Sequence, residues 1–547
     1  MIINRWAGVT AAALAVSVVV SGCGGGSGDQ AAGGTKIELT ATTPAASGDV
    51  ESVTWALPSG EPASLDPALT GDYSANTVET NLCESLLRLE TDFSTSPGLA
   101  ESVEQKDATT VVINLRDGVT FWDGNAMTAQ DVVYSLKRNM DPALASYSAH
   151  VFANVKSIEK TGDLQVTVKF TTPDVQFIPD LAGTPGAIVE EKYATAKGKA
   201  FGTASGGVMC TGPFQLDDWQ SGQKIVLKRN DSYWDATRKA KAATFTFVFL
   251  SDSSTLTSAL LSGEVDGVYG APAGSITALR KTGVGSLYFG PSTESYSIGA
   301  VTTEGPAADP KIRQALDLAI DKNSYITSVL KGAGEPLKTF TPPLVWQGSA
   351  AKDVYDAGYA ALPDNATADL AKAKQLVTEA APSRTDMVIA VPAGNQELLQ
   401  TATIAQAAAQ QIGLTLTIKQ LQIAEYTGLF YDPTLRQGID LIATTGYLEV
   451  PGALYYAPGF VLKDAQFNWT GYEDAEVTKN IVTAVSATDP AASAQAFVAA
   501  QAIYAPADLQ ISLAQSYNRL FMNKRITGAP ASFSYISSAW AAQVGKA

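Results

Sequence analysis

An α/β fold with room for two large lobes is predicted by the length of the chain, its composition and its alternating strand and helix patterns. The 547 residues allow about three to five domain-sized units, or two lobes, at about 100 to 200 residues per domain. Hydrophobic residues make up 46% of the chain and charged residues 17%, which excludes a mostly disordered polymer. Helix patterns followed by strand patterns are typical of a sheet flanked by helices.

The N-terminus has the pattern of an export signal. Residues 1–22 carry one basic residue, Arg5, and then an apolar run that ends in small residues directly before Cys23. A transmembrane anchor is the alternative, because residues 6–28 lack charges, but the glycines around Cys23 leave an apolar core of only about 15 residues. Residues 20–23, Val-Ser-Gly-Cys, resemble the bacterial lipobox. We therefore expect an extracytoplasmic protein that is anchored to the cell membrane through acylated Cys23.

Two further expectations follow from export. Residues 23–50 are rich in Gly, Ser, Thr, Ala and Pro, which predicts a flexible tether. Outside the cytoplasm two thiols can oxidise to a disulfide. We therefore expect Cys83 and Cys210 to form a structural disulfide and not a redox-active or metal-binding pair.

The first half of the folded region alternates short strands and helices. Residues 53–57 predict a strand, and four apolar residues at helical spacing predict a helix over 72–89. From residue 110 the period is two, and Asp-Gly turns end two successive strands. Thr128 and Asp131 have the spacing of a capping box, which predicts that a helix begins there.

The second half contains longer helices. A strand hairpin is expected over 215–229, followed by a strand at 244–250 and a helix that ends at Gly263. Residues 310–330 place apolar side chains on one helical face, and the helix at 396–412 leads directly into a strand. This order predicts a second sheet flanked by helices.

Charge and histidine content exclude several functions. Lys plus Arg number 38 and Asp plus Glu 54, a net charge of −16, and no cationic cluster suited to nucleic acid is present in the sequence. Because the chain has a single histidine, His150, a His-rich metal site is excluded, and we expect His150 to be a structural or surface residue. The sequence has no Gly-x-Ser-x-Gly, Walker or His-Glu-x-x-His motif. Ser-x-x-Lys occurs at Ser221 and Ser328, which leaves a secreted hydrolase as an alternative function.

Four segments resemble the peptide and nickel group, family 5, of bacterial ABC-transporter solute-binding proteins. They are GVTFWDGNAMTAQDVVYSLKR at 118–138, TGPFQLDDWQSGQKIVLKRNDSYW at 211–234, ALLSGEVDGV at 259–268 and KIRQALDLAIDK at 311–322. The resemblance extends over residues 52–540. It implies a two-lobed, periplasmic-binding-protein-like clamshell of type II with an extra inserted subdomain, which closes on a ligand between the lobes.

The resemblance also implies domain limits. Lobe I is expected to take residues 50–293 and 507–547, with the inserted subdomain at about 78–205. Lobe II is expected to take residues 294–506. The four segments above are interpreted as scaffold and not as ligand contacts.

In members of the family, an acidic residue in a segment of the second lobe binds the ammonium group of a peptide. The resemblance therefore implies ligand contacts in the corresponding segment of this chain. Here it reads TTGYLEVPGALYY, with Tyr447 in the aromatic position, Glu449 early, and Val450 in the usual acidic position. Tyr455 and Tyr456 follow as aromatic contacts. Asp72 and Tyr73 resemble the family segment that borders the cleft. Trp346 and Trp469 are two further candidates for residues that line the ligand site.

The predicted function is capture of a small solute, a short peptide above all, and its delivery to an ABC permease driven by ATPase subunits. A metal chelate or a sugar remains open as the ligand, and a ligand-sensing lipoprotein without transport remains an alternative. No cofactor, catalytic residue or metal site is expected, and the protein is expected to be a monomer.

Overall fold

The computed structural model describes residues 37–281 and 283–547. The expected signal peptide, residues 1–22, and the lipidation site Cys23 lie outside the described residues. Within those residues, no helix has the length and apolar character needed to cross a bilayer.

The strands, in chain order, are β1 Val50–Leu57, β2 Leu87–Leu89, β3 Thr95–Pro97, β4 Ala100–Asp107, β5 Thr110–Leu115, β6 Val155–Gly162, β7 Gln165–Phe170, β8 Phe214–Gln220, β9 Lys224–Arg229, β10 Ala242–Phe249, β11 Gly267–Val268, β12 Gly285–Gly290, β13 Ser295–Ala300, β14 Gly334–Pro336, β15 Asp386–Pro392, β16 Thr415–Leu421, β17 Leu441–Gly446, β18 Gln510–Ser516, β19 Asn518–Asn523, β20 Ile526–Thr527 and β21 Gly545–Lys546.

The α-helices are α1 Tyr73–Glu79, α2 Ala129–Arg138, α3 Phe177–Asp180, α4 Glu191–Lys197, α5 Ser253–Ser262, α6 Ile276–Lys281, α7 Pro310–Ala319, α8 Lys322–Ser328, α9 Lys352–Ala361, α10 Leu370–Ala380, α11 Gln396–Gln411, α12 Ile423–Gly428, α13 Ala453–Val461, α14 Ala475–Ser486 and α15 Pro490–Tyr504.

The described strands assemble into three main sheets. Sheet A has seven strands in the order β12-β19-β11-β1-β10-β9-β8, and sheet B has six in the order β14-β18-β13-β17-β15-β16. Sheet C is the four-stranded antiparallel sheet β4-β5-β7-β6. Sheets A and B mix parallel and antiparallel pairs, and helices such as α11 pack on sheet B. The molecule is therefore a two-lobed α/β protein. The first lobe holds sheet A together with sheet C, whose strands lie in sequence between β1 and β8, and the second lobe holds sheet B.

Large aromatic side chains fill the core against sheet A. Trp55 on β1 is fully buried, and its ring centroid lies 4.6 Å from that of Trp540 near the C-terminus. Phe245 on β10 meets the edge of Trp540 at 5.4 Å. Strand β1 and the C-terminal region around Trp540 thus share one apolar core, which buries the large areas that dominate folding stability.

Cys83 and Cys210 are bonded to each other in the same core. Their Cα atoms are 4.9 Å apart, and the two residues are separated by 127 positions in sequence. The bond joins the turn after α1 to the loop before β8.

Helix α1 is shorter than the sequence pattern predicts. The expected helix over 72–89 is wrong beyond Glu79, because the chain turns after Thr80 and re-enters strand structure at Leu87. The Asn81 side chain donates to the Thr77 carbonyl at 2.9 Å and so binds the carbonyl end of the helix. The leucines that produced the pattern are buried all the same, but in two different cores.

Other helix boundaries agree with the sequence signals. Helix α2 begins after Thr128 with the predicted capping box, in which the Thr128 hydroxyl and the Asp131 carboxylate each bond the other residue's backbone N–H. Helix α5 ends at Gly263, which adopts φ 75°.

The helix expected over 310–330 is divided into α7 and α8, because Asp321 caps a new helix.

Two connections pass between sheets A and B. One joins β12 to β13 through residues 291–294, and the other joins β18 to β19 through Tyr517. We propose that the lobes divide at these two places. Strand β18 then belongs to the second lobe, and the return to the first lobe comes at Tyr517.

The described part of the expected tether lies along the first lobe. The backbone N–H of Thr40 donates to Phe289 O at 2.8 Å, and that of Ser47 donates to Lys546 O at 2.8 Å. We propose that residues 37–49 are part of the folded body.

Candidate functional site

The candidate site is built around a segment that leaves sheet B and reaches into the first lobe. After β17, residues 447–451, here called the bridging segment, run toward α1 and sheet C. Val450 is 1% exposed and packs within the apolar core of sheet C. The backbone is held by Thr293, whose hydroxyl donates to Leu448 O at 2.7 Å, and by Ser537, whose hydroxyl donates to Glu449 O at 3.0 Å.

Glu449 connects this segment to two elements of the first lobe. Its Oε1 accepts from Asn76 Nδ2 at 2.7 Å, and its Oε2 accepts from the Thr184 hydroxyl at 2.6 Å and from the Thr184 N–H at 3.2 Å. Asn76 lies on α1, and Thr184 begins a short 3-10 turn after α3. The side chain is 2% exposed. One carboxylate therefore accepts three hydrogen bonds across the interface between the lobes.

The surroundings of Glu449 are acidic. Burial raises the pKa of Glu449, although the hydrogen bonds from Thr184 and Asn76 oppose that rise. Burial likewise raises the pKa of Asp72, whose carboxylate caps α1 by accepting from Ala75 N at 2.9 Å. It raises that of Asp180 well above the ordinary range. Burial thus disfavours the ionised form of all three carboxyl groups, and a cation placed beside them would stabilise that form.

Tyrosine side chains lie near the same carboxylate. The Tyr73 and Tyr447 centroids are 4.5 Å apart, and Tyr447 also packs on Phe533 at 5.6 Å. The hydroxyls of Tyr447 and Tyr455 are buried and form no hydrogen bond with the described residues. The Glu449 charge adds to burial in raising the pKa of both phenols well above the usual value. These rings offer apolar area together with free polar atoms.

The remaining predicted site residues are placed differently. Tyr456 packs at 4.6 Å from Phe460 in an apolar core of the second lobe. Trp346 is 1% exposed, stacks on Tyr355 at 5.3 Å and donates to Asp356 at 2.9 Å. Both environments are explained by packing.

Trp469 lies under a cation in the second lobe. The Arg436 guanidinium is 4.3 Å from the centroid of its ring, and Phe430 packs against it at 5.5 Å. The structure therefore brings together Asp72, Tyr73, Tyr447, Glu449 and Tyr455, whereas the two tryptophans have other partners.

Three neighbours of Glu449 were missed by sequence reasoning. Asn76 and Thr184 supply its hydrogen bonds, and the charge of Glu449 acts on Tyr147. A Cβ added at Gly71 would lie 2.5 Å from the Tyr147 ring, so this ring rests directly on the backbone before α1. The one available signal was the position of Asn76, one turn after the predicted pair Asp72 and Tyr73.

A second polar contact joins the lobes near the crossing connections. Glu397 in the first turn of α11 accepts from Ala273 N at 2.7 Å and from Arg519 Nη2 on β19 at 2.9 Å. The Tyr296 hydroxyl also donates to Glu397. Burial opposes the Arg519 charge, but Glu397 and the nearby Tyr296 and Glu294 raise the pKa of Arg519 above its ordinary value.

The serine and lysine pairs of the hydrolase alternative do not form nucleophile and base contacts. Lys331 Nζ donates to Ser328 O, a backbone carbonyl, at 2.6 Å. Ser221 lines a shallow cavity of about 320 Å³ with Glu61, Pro62, Ala63, Ala204 and Trp219. Among the described residues, no group of three or more His, Cys, Asp or Glu side chains is arranged to hold a metal ion.

The fold and the site define a binding protein in which two lobes meet around a buried acidic and aromatic contact. The family model of bacterial extracellular solute-binding proteins, family 5 Middle, matches residues 94–468. The chain therefore belongs to this family, as the sequence segments predicted.

Relatives and solved structures agree with that assignment. The oligopeptide-binding protein OppA of Bacillus subtilis is 29% identical over 304 residues, which cover 52% of this chain and about half, 55%, of OppA. The glutathione-binding protein GsiB of Escherichia coli K12 is 24% identical over 446 residues, 80% of this chain and 84% of GsiB. The structure of AppA from Bacillus subtilis in complex with a nonapeptide has a TM-score of 0.80 at 20% identity, covering 91% of this chain and 99% of AppA. The predicted two-lobed fold is confirmed by this likeness.

Proposed function

We propose that this chain captures a short peptide between its two lobes and delivers it to the permease of an ABC importer. The observation that carries the proposal is Glu449, which is buried between the lobes and held by Asn76 and Thr184. An ionised carboxylate offers about four acceptor sites, and three donors use three of them. A peptide ammonium group has the charge and the donors to use the remaining site.

The relatives support a peptide as the solute. OppA is an oligopeptide-binding protein, GsiB binds glutathione, and AppA was solved with a nonapeptide. The acidic and tyrosine-rich surroundings of Glu449 suit the positively charged end of such a ligand.

The proposed partners are the membrane permease and its ATPase subunits, with this chain acting as a monomer. Anchoring through acylated Cys23 would keep the protein at the outer face of the membrane, where its solute is captured. ATP hydrolysis would take place in the ATPase subunits, since the sequence carries no Walker motif.

The test compares trialanine with N-acetyl-trialanine by titration calorimetry. Wild type should bind trialanine more tightly, because acetylation removes the ammonium charge. Glu449→Gln should lower the affinity for trialanine by about tenfold or more, since a hydrogen bond to a charged group contributes about 1.5–3 kcal/mol.

Glu425→Gln is the matched control, because Glu425 is exposed on α12. It should bind trialanine as wild type does. If wild type binds both peptides equally well, Glu449 does not recognise an ammonium group.

A further inference from the structure

A second carboxylate lies one turn further along α1. Glu79 is 1% exposed, and its Oε1 has no hydrogen-bond partner among the described residues. Glu79 follows Asn76 by three positions, so their Cβ atoms are about 5–6 Å apart on one face of the helix. Since Asn76 donates to Glu449, this face is turned toward the bridging segment.

The same face has more acceptors than donors. Asn76 Oδ1 is buried and unpartnered, and the planar amide places it beside the nitrogen that bonds Glu449. Glu79 is also the last residue of α1, where the helix dipole disfavours a negative charge. Buried acceptors without donors are destabilising, and a carboxylate more so than an amide.

Lysine and arginine side chains of the described residues do not pair with the carboxyl groups of Glu79 and Glu449. Arg138, which reaches the same region, is bound through both terminal nitrogens to Asp66.

Building on the proposed function, we propose that Glu79 and Glu449 form a paired anionic subsite for a solute with two ammonium groups, as in a peptide that begins with lysine. An N-terminal lysine carries its second ammonium group at the end of a four-carbon stem. That stem extends over a distance comparable to one helical turn, the spacing between Asn76 and Glu79. Asn76 bonds Glu449 through Nδ2 and precedes Glu79 by three positions on α1, so its unpartnered Oδ1 adds an acceptor close to both carboxyl groups.

A change in protonation accompanies binding at this subsite. Burial, the Glu449 charge and the Asp66 charge raise the pKa of Glu79 well above its ordinary value. The charged groups that act on Glu79 are thus Glu449 on the bridging segment and Asp66 before α1, and Arg138 on α2 is bound to Asp66. An ammonium group beside Glu79 favours the ionised form, so binding should release a proton.

The experiment titrates the protein with Lys-Ala and with norleucyl-Ala, which has a side chain of similar length without the second charge. Titrations in phosphate and in Tris, which differ in heat of ionisation, give the number of protons released. Wild type should bind Lys-Ala about tenfold or more tightly than norleucyl-Ala, as expected for one additional charge-assisted hydrogen bond. It should also release more protons with Lys-Ala.

Glu79→Gln should bind Lys-Ala and norleucyl-Ala with equal affinity and release equal numbers of protons with the two peptides. Its affinity for norleucyl-Ala should stay within about threefold of wild type, a change of less than about 1 kcal/mol. The wild-type comparison needs no variant, so it stands even if Glu79→Gln does not fold. Equal affinity of wild type for both peptides overturns the paired subsite and leaves the proposed function intact. If neither these peptides nor trialanine bind, the proposed function fails as well.

Discussion

At the scale of single residues, Thr184 holds the charge of Glu449 in place. Its hydroxyl donates at 2.6 Å to a carboxylate that is 2% exposed, and this bond lowers the pKa of Glu449 against the effect of burial. Thr184→Val keeps the shape of the side chain and removes the donor. The pKa of Glu449 should then rise further, and less of it should be ionised at neutral pH.

We expect Thr184→Val to weaken trialanine binding at pH 7 by about tenfold, because an unsatisfied buried acceptor costs about 1–3 kcal/mol. Calorimetric titrations at pH 6 and pH 7, where the trialanine ammonium group stays charged, measure this change. The ratio of wild-type to variant affinity should be larger at pH 6, because the carboxyl group with the higher pKa is neutralised first. Thr378→Val is the control, since the Thr378 hydroxyl donates to a backbone carbonyl on an exposed part of α10. Wild-type affinity in Thr184→Val would show that the bond does not support binding.

Single residues also show which part of the site a sequence can predict. Tyr447 and Glu449 are recognisable because they belong to one short segment that resembles the family pattern. Their partners are not, since Asn76 and Thr184 lie 373 and 265 positions away from Glu449. Whether a polar side chain meets a partner that remote depends on how the lobes fold together, which no local pattern encodes.

At the scale of elements, the disulfide fixes the turn that follows α1. The bond between Cys83 and Cys210 closes a loop over 127 positions, and both residues are buried in the core against sheet A. Since α1 carries Asn76, the bond also supports the position of a site residue.

Replacing both cysteines by serine should destabilise the protein by about 5 kcal/mol, the loop-closure estimate for a bond of this span. Thermal unfolding followed by circular dichroism measures the loss, and trialanine affinity should fall in parallel. Wild type heated with a reductant is the matched comparison and should approach the melting temperature of the double variant. An unchanged melting temperature in both would mean that the bond contributes nothing to stability.

Elements whose signals are local were predicted well. The capping box at Thr128 and the glycine at position 263 fix the ends of α2 and α5, because the stabilising bonds lie within a few residues of each other. The predicted helix over 72–89 was too long for the opposite reason. Its leucines recur at helical spacing but are buried in two cores, so tertiary packing determines where α1 ends.

At the scale of the whole molecule, the Glu397 contact joins the lobes close to the two crossing connections. Glu397 belongs to α11, which packs on sheet B, while its partners Arg519 and Ala273 belong to the sheet A lobe. Arg519 is 4% exposed. Removing the charge of Glu397 would leave that guanidinium buried with less compensation, which is costly for the arrangement seen here.

We expect Glu397→Gln to shift the protein toward a more open arrangement, because opening lets water solvate Arg519. Small-angle X-ray scattering without ligand should give a larger radius of gyration than for wild type, and a saturating peptide should reduce the difference. Peptide affinity should fall, since part of the binding free energy is then used to close the lobes. Glu379→Gln is the matched control, because its pair with Lys311 is exposed and lies within the second lobe. If Glu397→Gln and Glu379→Gln scatter identically, the Glu397 contact does not determine how the lobes are held.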